Sequence, residues 1–100
     1  MMISDILRTG AENATTGRMI CERLNINARD LTQAIEQERR AGSPICASTD
    51  STNPGYYLAA SAEEMQRYCD SLNHRAGEIH KTRQACLRTI STLPGAEAAQ

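Results

Sequence analysis

Nothing in the chain approaches the run of about twenty apolar residues that spans a bilayer. The opening Met1-Met2-Ile3-Ser4-Asp5 also lacks the basic-then-apolar layout of a signal peptide. The expectation is a cytoplasmic protein with no membrane partner. No Cys-x-x-Cys pair occurs: the cysteines stand at 21, 46, 69 and 86, and neither His74 nor His80 sits at zinc-finger spacing from them. A metal site is therefore not expected. Each thiol lies in an apolar pattern and reads as a small buried hydrophobe rather than as half of a disulfide. There is no glycine-rich phosphate loop and no nucleophile motif. His74 and His80, six positions apart on a long helical stretch, are rotated by about 600° and share no face. The residues predict no enzyme, no cofactor and no small-molecule ligand.

An excess of charge of either sign is missing too. Eleven Lys and Arg stand against twelve Asp and Glu, for a net charge of −1. The halves do not differ: residues 1–60 carry six Arg against seven Asp and Glu, and residues 61–100 five basic against five acidic side chains. Any attraction to phosphate has to come from local placement of arginines, and in a monomer it would be weak and sensitive to salt. What is present is the composition of an ordinary soluble chain, 40% hydrophobic and 23% charged over 100 residues, enough for one domain with a modest core.

Ile3, Ile6 and Leu7 at helical spacing predict a short first helix ending near Gly10, followed by a polar loop through Asn13. Thr15 or Thr16 caps a second helix with an apolar stripe of Met19, Ile20 and Leu24, closing at Asn25. After Ile26, Asn27 caps a third helix, with Asp30 in its electropositive first turn. Leu31, Ala34 and Ile35 point inward there, while Arg29, Gln33, Glu36 or Gln37, and Arg40 form one exposed row. Gly42 ends that helix. Two helices joined by a three- or four-residue turn have helix-turn-helix spacing.

Pro44 to Ser48 reads as an edge strand and Tyr56-Tyr57-Leu58 as its partner, around the turn-rich Thr49-Asp50-Ser51-Thr52-Asn53-Pro54-Gly55. One of Tyr56 and Tyr57 should face the core. Ser61-Ala62-Glu63-Glu64 is a capping box opening a stretch without proline as far as Pro94. Along it Met65, Cys69, Leu72, Ala76, Ile79, Arg83, Cys86, Ile90 and Leu93 alternate spacings of four and three, the period of a two-stranded coiled-coil seam. Such a stripe, about 45 Å long, is more than a sixty-residue domain can cover, so Leu72, Ala76, Ile79, Arg83, Cys86, Ile90 and Leu93 are expected to meet a second copy. Gly77 weakens the helix by about 1 kcal/mol relative to alanine.

The run Thr16-Gly17-Arg18-Met19-Ile20-Cys21-Glu22-Arg23-Leu24-Asn25-Ile26, then Arg29-Asp30-Leu31 with Ile35, then Arg39-Arg40-Ala41-Gly42-Ser43-Pro44-Ile45 and Gly55-Tyr56-Tyr57-Leu58, resembles the type-11 winged helix-turn-helix domains. These include the DNA-binding end of biotin-ligase repressors and small phage and prophage proteins of Gram-positive bacteria. The resemblance covers residues 3 to 60. It implies binding to duplex DNA, with the third helix in the major groove and the hairpin, or wing, on the backbone or minor groove. Carried over by position, Asn27, Ala28, Arg29, Thr32, Gln33, Glu36 and Arg40 face DNA, as do Thr49, Ser51, Thr52 and Asn53 at the wing tip. The chemistry is compatible, since Arg pairs with guanine edges, Gln with adenine, and hydroxyls with phosphates. The wing departs from an avid one in carrying Asp50 and no Lys or Arg.

The expected fold is mainly α with a small β-hairpin: a winged helix-turn-helix over 1–60, a long C-terminal dimerisation helix over 61–95, and a frayed tail over 96–100. The expected partners are double-stranded DNA and a second copy. Two function classes follow: a dimeric transcriptional regulator or phage replication accessory factor, or a protein-interaction and assembly module on the same scaffold.

Overall fold

A computed structural model describes residues 2–49 and 51–96. The chain is mainly helical with a two-stranded hairpin and a long C-terminal helix. It divides into two compact units, Met1–Tyr68 and Cys69–Gln100.

In the first unit, α1 spans Gly17–Leu24 and α2 spans Ala28–Arg40. Each starts where a side chain takes up an orphan amide: Thr16 Oγ1 accepts from Met19 N at 3.2 Å, and Asn27 Oδ1 from Asp30 N at 2.7 Å. Asn25 ends α1 in the left-handed region at φ 54°, and its short polar side chain tolerates that conformation. α2 stops at Gly42, whose φ of 108° suits glycine; Gly42 N and Ser43 N donate to the carbonyls of Arg39 and Glu38.

The hairpin pairs β1 (Ile45–Ser48) antiparallel with β2 (Gly55–Leu58), Cys46 opposite Tyr57 and Ser48 opposite Gly55. The other edge of β2 is also taken. Leu58 N donates to Arg8 O and Gly10 N to Leu58 O, both at 2.8 Å, while Thr15 and Tyr56 exchange hydrogen bonds at 2.8 and 2.9 Å. A strand paired on both sides offers no row of free amides for aggregation.

This pairing overturns the expected first helix. Only Ile3–Asp5 makes a 3-10 turn, with a second at Ala11–Asn13. The hydrogen bonds of residues 8, 10 and 15 go to β2, which a helix over 3–10 could not supply. The apolar spacing was nonetheless meaningful, for Ile3 and Leu7 are buried with Ile20, Leu31, Ile35 and Ile45 in the main core. Full burial of such a side chain stabilises by about 1.5–3 kcal/mol. Of the expected stripe of α1, Ile20 is buried and Leu24 packs against the core, as does Cys21, but Met19 is 59% exposed.

Period-two alternation sends the hairpin's side chains to two clusters. Ile45, Tyr56 and Leu58 join the main core, while Cys46 and Tyr57 form a second cluster with Tyr68, Met65 packing against it. Both tyrosines are therefore used, on opposite faces.

Helix α3 runs Ala62–Thr89 and continues as a 3-10 turn over Ile90–Thr92. Ser61 Oγ accepts from Glu64 N at 3.1 Å, and Glu64 Oε1 reaches back to Ala60 N at 2.8 Å. In the second unit Leu72, Ile79, Leu87, Ile90 and Leu93 are exposed, Ile79 by 69%. The expectation that all four cysteines are buried fails here. Cys46 is buried and Cys21 half-buried, but Cys69 and Cys86 are exposed free thiols on the stripe of α3. Among the described residues no helix is long and apolar enough to cross a membrane. Of the expected tail, residues 97–100 lie outside the described residues, as does Asp50 of the hairpin loop.

Candidate nucleic-acid interface

Three apolar residues on one side of α2 anchor it: Leu31 and Ile35 are buried in the main core, and Ala34 packs against it. The opposite side is thereby fixed toward solvent. Arg29, Gln33, Glu36 and Arg40 fall within about 60° of one another around the helix and extend over about 16 Å. All four are exposed, as are Asn27, Ala28 and Thr32 at the N-terminal end.

Their commitments differ. Arg40 Nη2 meets Glu36 Oε1 at 2.6 Å, with the two side chains 78% and 57% exposed. An exposed i,i+4 pair contributes about 0.3–0.5 kcal/mol and opens readily when a stronger partner arrives. The Thr32 hydroxyl donates to Ala28 O at 3.0 Å, and the Asn27 carbonyl oxygen is engaged as the helix cap. Arg29 and Gln33, one turn apart, have no hydrogen bond or ion pair among the described residues. They are the two long polar side chains of the row free to meet a ligand. The N-terminal turn at Asn27 and Ala28 adds the positive end of the helix dipole, which favours phosphate.

The arginine beside the row is spent inside. Arg39 Nε donates to Ile45 O at 2.9 Å, and its guanidinium lies 5.1 Å from the Tyr68 ring centroid. That contact ties the end of α2 to β1 and to the start of α3, and removes Arg39 from any external role. Glu38 is likewise turned in, 8% exposed, with its carboxylate on the amides of Ile3 and Ser4. Neither role was foreseen. The spacing Leu31, Ile35, Glu38 puts Glu38 on the inner face of α2, and that signal was available.

At the hairpin tip Thr49, Ser51 and Thr52 are exposed and Asn53 half-buried. The loop leaves β1 at Ser48 and enters β2 at Gly55, where φ is 122° and a Cβ would overlap the Thr15 carbonyl. The tip is thus held at its base by backbone that only glycine fits.

Buried in the second cluster, Tyr57 has its hydroxyl pKa raised, by desolvation first and then by the neighbouring Cys46 and Glu64, against a smaller opposing effect of Arg67. This group lies on the hairpin face opposite the main core and takes no part in the α2 row. Among the described residues no three His, Cys, Asp or Glu side chains come together as a metal site.

No family model matches the chain, and no curated protein and no solved structure does either.

Proposed function

We propose that the protein is a cytoplasmic DNA-binding protein of the winged helix-turn-helix type, reading the major groove with α2 and acting as a homodimer through the distal part of α3. A transcriptional regulator or a phage replication accessory factor is the kind of protein this describes. The observation that carries the reading is the exposed row on α2, in which Arg29 and Gln33 stand uncommitted on a helix locked from behind by Leu31 and Ile35. The order of helix, three-residue turn, helix and hairpin supports it. Roles follow from chemistry: Arg29 and Arg40 toward guanine or phosphate, Gln33 toward adenine, Asn27, Ala28 and Thr32 toward the backbone, and Glu36 as a charge released when Arg40 turns to DNA. Thr49, Ser51, Thr52 and Asn53 supply hydroxyl and amide contacts to phosphates. With a net charge of −1 a single copy would bind weakly, and joining two reading helices raises the effective concentration on a palindromic site.

The neutral balance and the Glu36–Arg40 pair favour a second reading, in which the scaffold is a protein-interaction module. Selection from a random duplex pool, at low and then near-physiological salt, separates the two. An enriched palindrome that survives added salt, and is lost in Arg29→Ala and Arg40→Ala, supports the regulator. No enrichment, or binding that ignores sequence and vanishes with salt, sinks it in favour of the module.

A further inference from the structure

The exposed stripe of the second unit reads, from Cys69 to Cys86, as six seam positions: Cys69, Leu72, Ala76, Ile79, Arg83 and Cys86. Its one charge, Arg83, decides how two copies fit. In a parallel pair in register each residue meets itself, so Arg83 faces Arg83 in an apolar layer, and two like charges oppose association. Asp70, thirteen positions away, is then about 20 Å out of reach.

Reversing one helix changes every pairing. If the copies cross between Gly77 and Glu78, Cys69 of one meets Cys86 of the other, Leu72 meets Arg83, and Ala76 meets Ile79, each pairing occurring twice. The central layers then match a small side chain with a large one. The charges become complementary as well. Arg83 of one copy lies about 3 Å along the axis from Asp70 of the other and on the same flank, so its aliphatic stem covers Leu72 while the guanidinium reaches the carboxylate. On the opposite flank Arg75 lies at a similar offset from Glu78 of the other copy. Glu78 bonds Lys81 at 3.2 Å, and that pair is exposed, so it rearranges at little cost.

We infer that the distal part of α3 is the surface for a second copy of this chain bound antiparallel, centred between Gly77 and Glu78, with Cys69 of each copy opposite Cys86 of the other. This rests on the reading that the protein is a homodimer and adds its orientation and register.

The two exposed thiols make the test direct. In a Cys21→Ala background, with buried Cys46 kept, the chain carrying both Cys69 and Cys86 is compared with its Cys69→Ser and Cys86→Ser variants. Mass is measured by light scattering, and disulfides are read on non-reducing gels after diamide, which takes the two protons and two electrons of each thiol pair. A disulfide within one chain is ruled out, because seventeen residues of helix hold the thiols about 25 Å apart. The expected result is a dimer of 11.0 kDa chains that cross-links when both thiols are present, with yield at least about tenfold lower in either single-thiol variant, where no second sulfur comes within bonding range. Cross-linking of a single-thiol variant with itself means a parallel pair and overturns the inference while leaving the dimer intact. A dimer by mass that never cross-links overturns the register. A monomeric mass overturns the dimer itself.

Discussion

Glu38 reaches across 35 residues to hold Ile3: its Oε2 accepts from Ile3 N, at 2.6 Å, and its Oε1 from Ser4 N, at 2.9 Å. A buried carboxylate with both oxygens occupied by amides caps the first 3-10 turn and pins the N-terminal segment beside α2, over the core that orients the exposed row of that helix. Glu38→Gln keeps one acceptor and turns an NH2 toward the other amide, leaving a donor facing a donor. The expected loss is about 1–3 kcal/mol of unfolding free energy, and more for Glu38→Ala. Urea denaturation checks it; a midpoint shift close to zero would mean that these amides find water at no cost.

Gly55→Ala is expected to destabilise the first unit by about 1–3 kcal/mol from the backbone conformation alone. Its Cβ would also overlap the Thr15 carbonyl, whose bond to Tyr56 N holds the edge of β2. Thermal melts followed by circular dichroism test this; an unchanged midpoint would mean that the base of the hairpin yields to a Cβ at no cost.

The opposite sign is expected at Gly77. It lies inside α3 with nothing within 4 Å of a Cβ, so Gly77→Ala gains helix propensity without a clash. The gain is about 1 kcal/mol, read as a higher melting temperature and stronger 222 nm ellipticity with unchanged mass in solution.

Alkaline titration tests the second cluster. Burial raises the Tyr57 pKa in the fold above its unfolded value of about 10. The folded state thus favours the neutral phenol, and that contribution is complete below pH 10 and disappears as pH climbs through the raised folded value. Melting temperature is expected to fall more steeply with pH above about 10 in the wild type than in Tyr57→Phe. Equal slopes for the two would contradict a phenol stabilised by burial.

The α2 row was legible in the sequence because a helix with caps at both ends and a clean apolar face leaves its other face no choice. Asn27, Leu31, Ile35 and Gly42 set its limits and rotation, and Arg29, Gln33, Glu36 and Arg40 then had to point outward. The fate of residues 3–15 was not legible. Their apolar spacing suits a helix, but Arg8, Gly10 and Thr15 bond through their backbone to β2, more than forty residues away, and no local pattern records such a partner.

The sequence by itself determined the elements whose signals are local: Thr16, Asn27 and Ser61 as caps, Asn25 and Gly42 as stops, and the alternation that makes a hairpin of 45–58. Each depends on groups within a few residues, where chain connectivity already holds them together. Tertiary structure alone decided which partners Glu38 meets on the inner face, that Arg39 turns inward, that Met19 is exposed, and that Cys46 is buried while Cys69 and Cys86 are not. Those outcomes depend on which distant surface closes over a side chain, and a charge goes inside only where the fold supplies partners, here the amides of Ile3 and Ser4 for Glu38 and the Ile45 carbonyl and Tyr68 ring for Arg39.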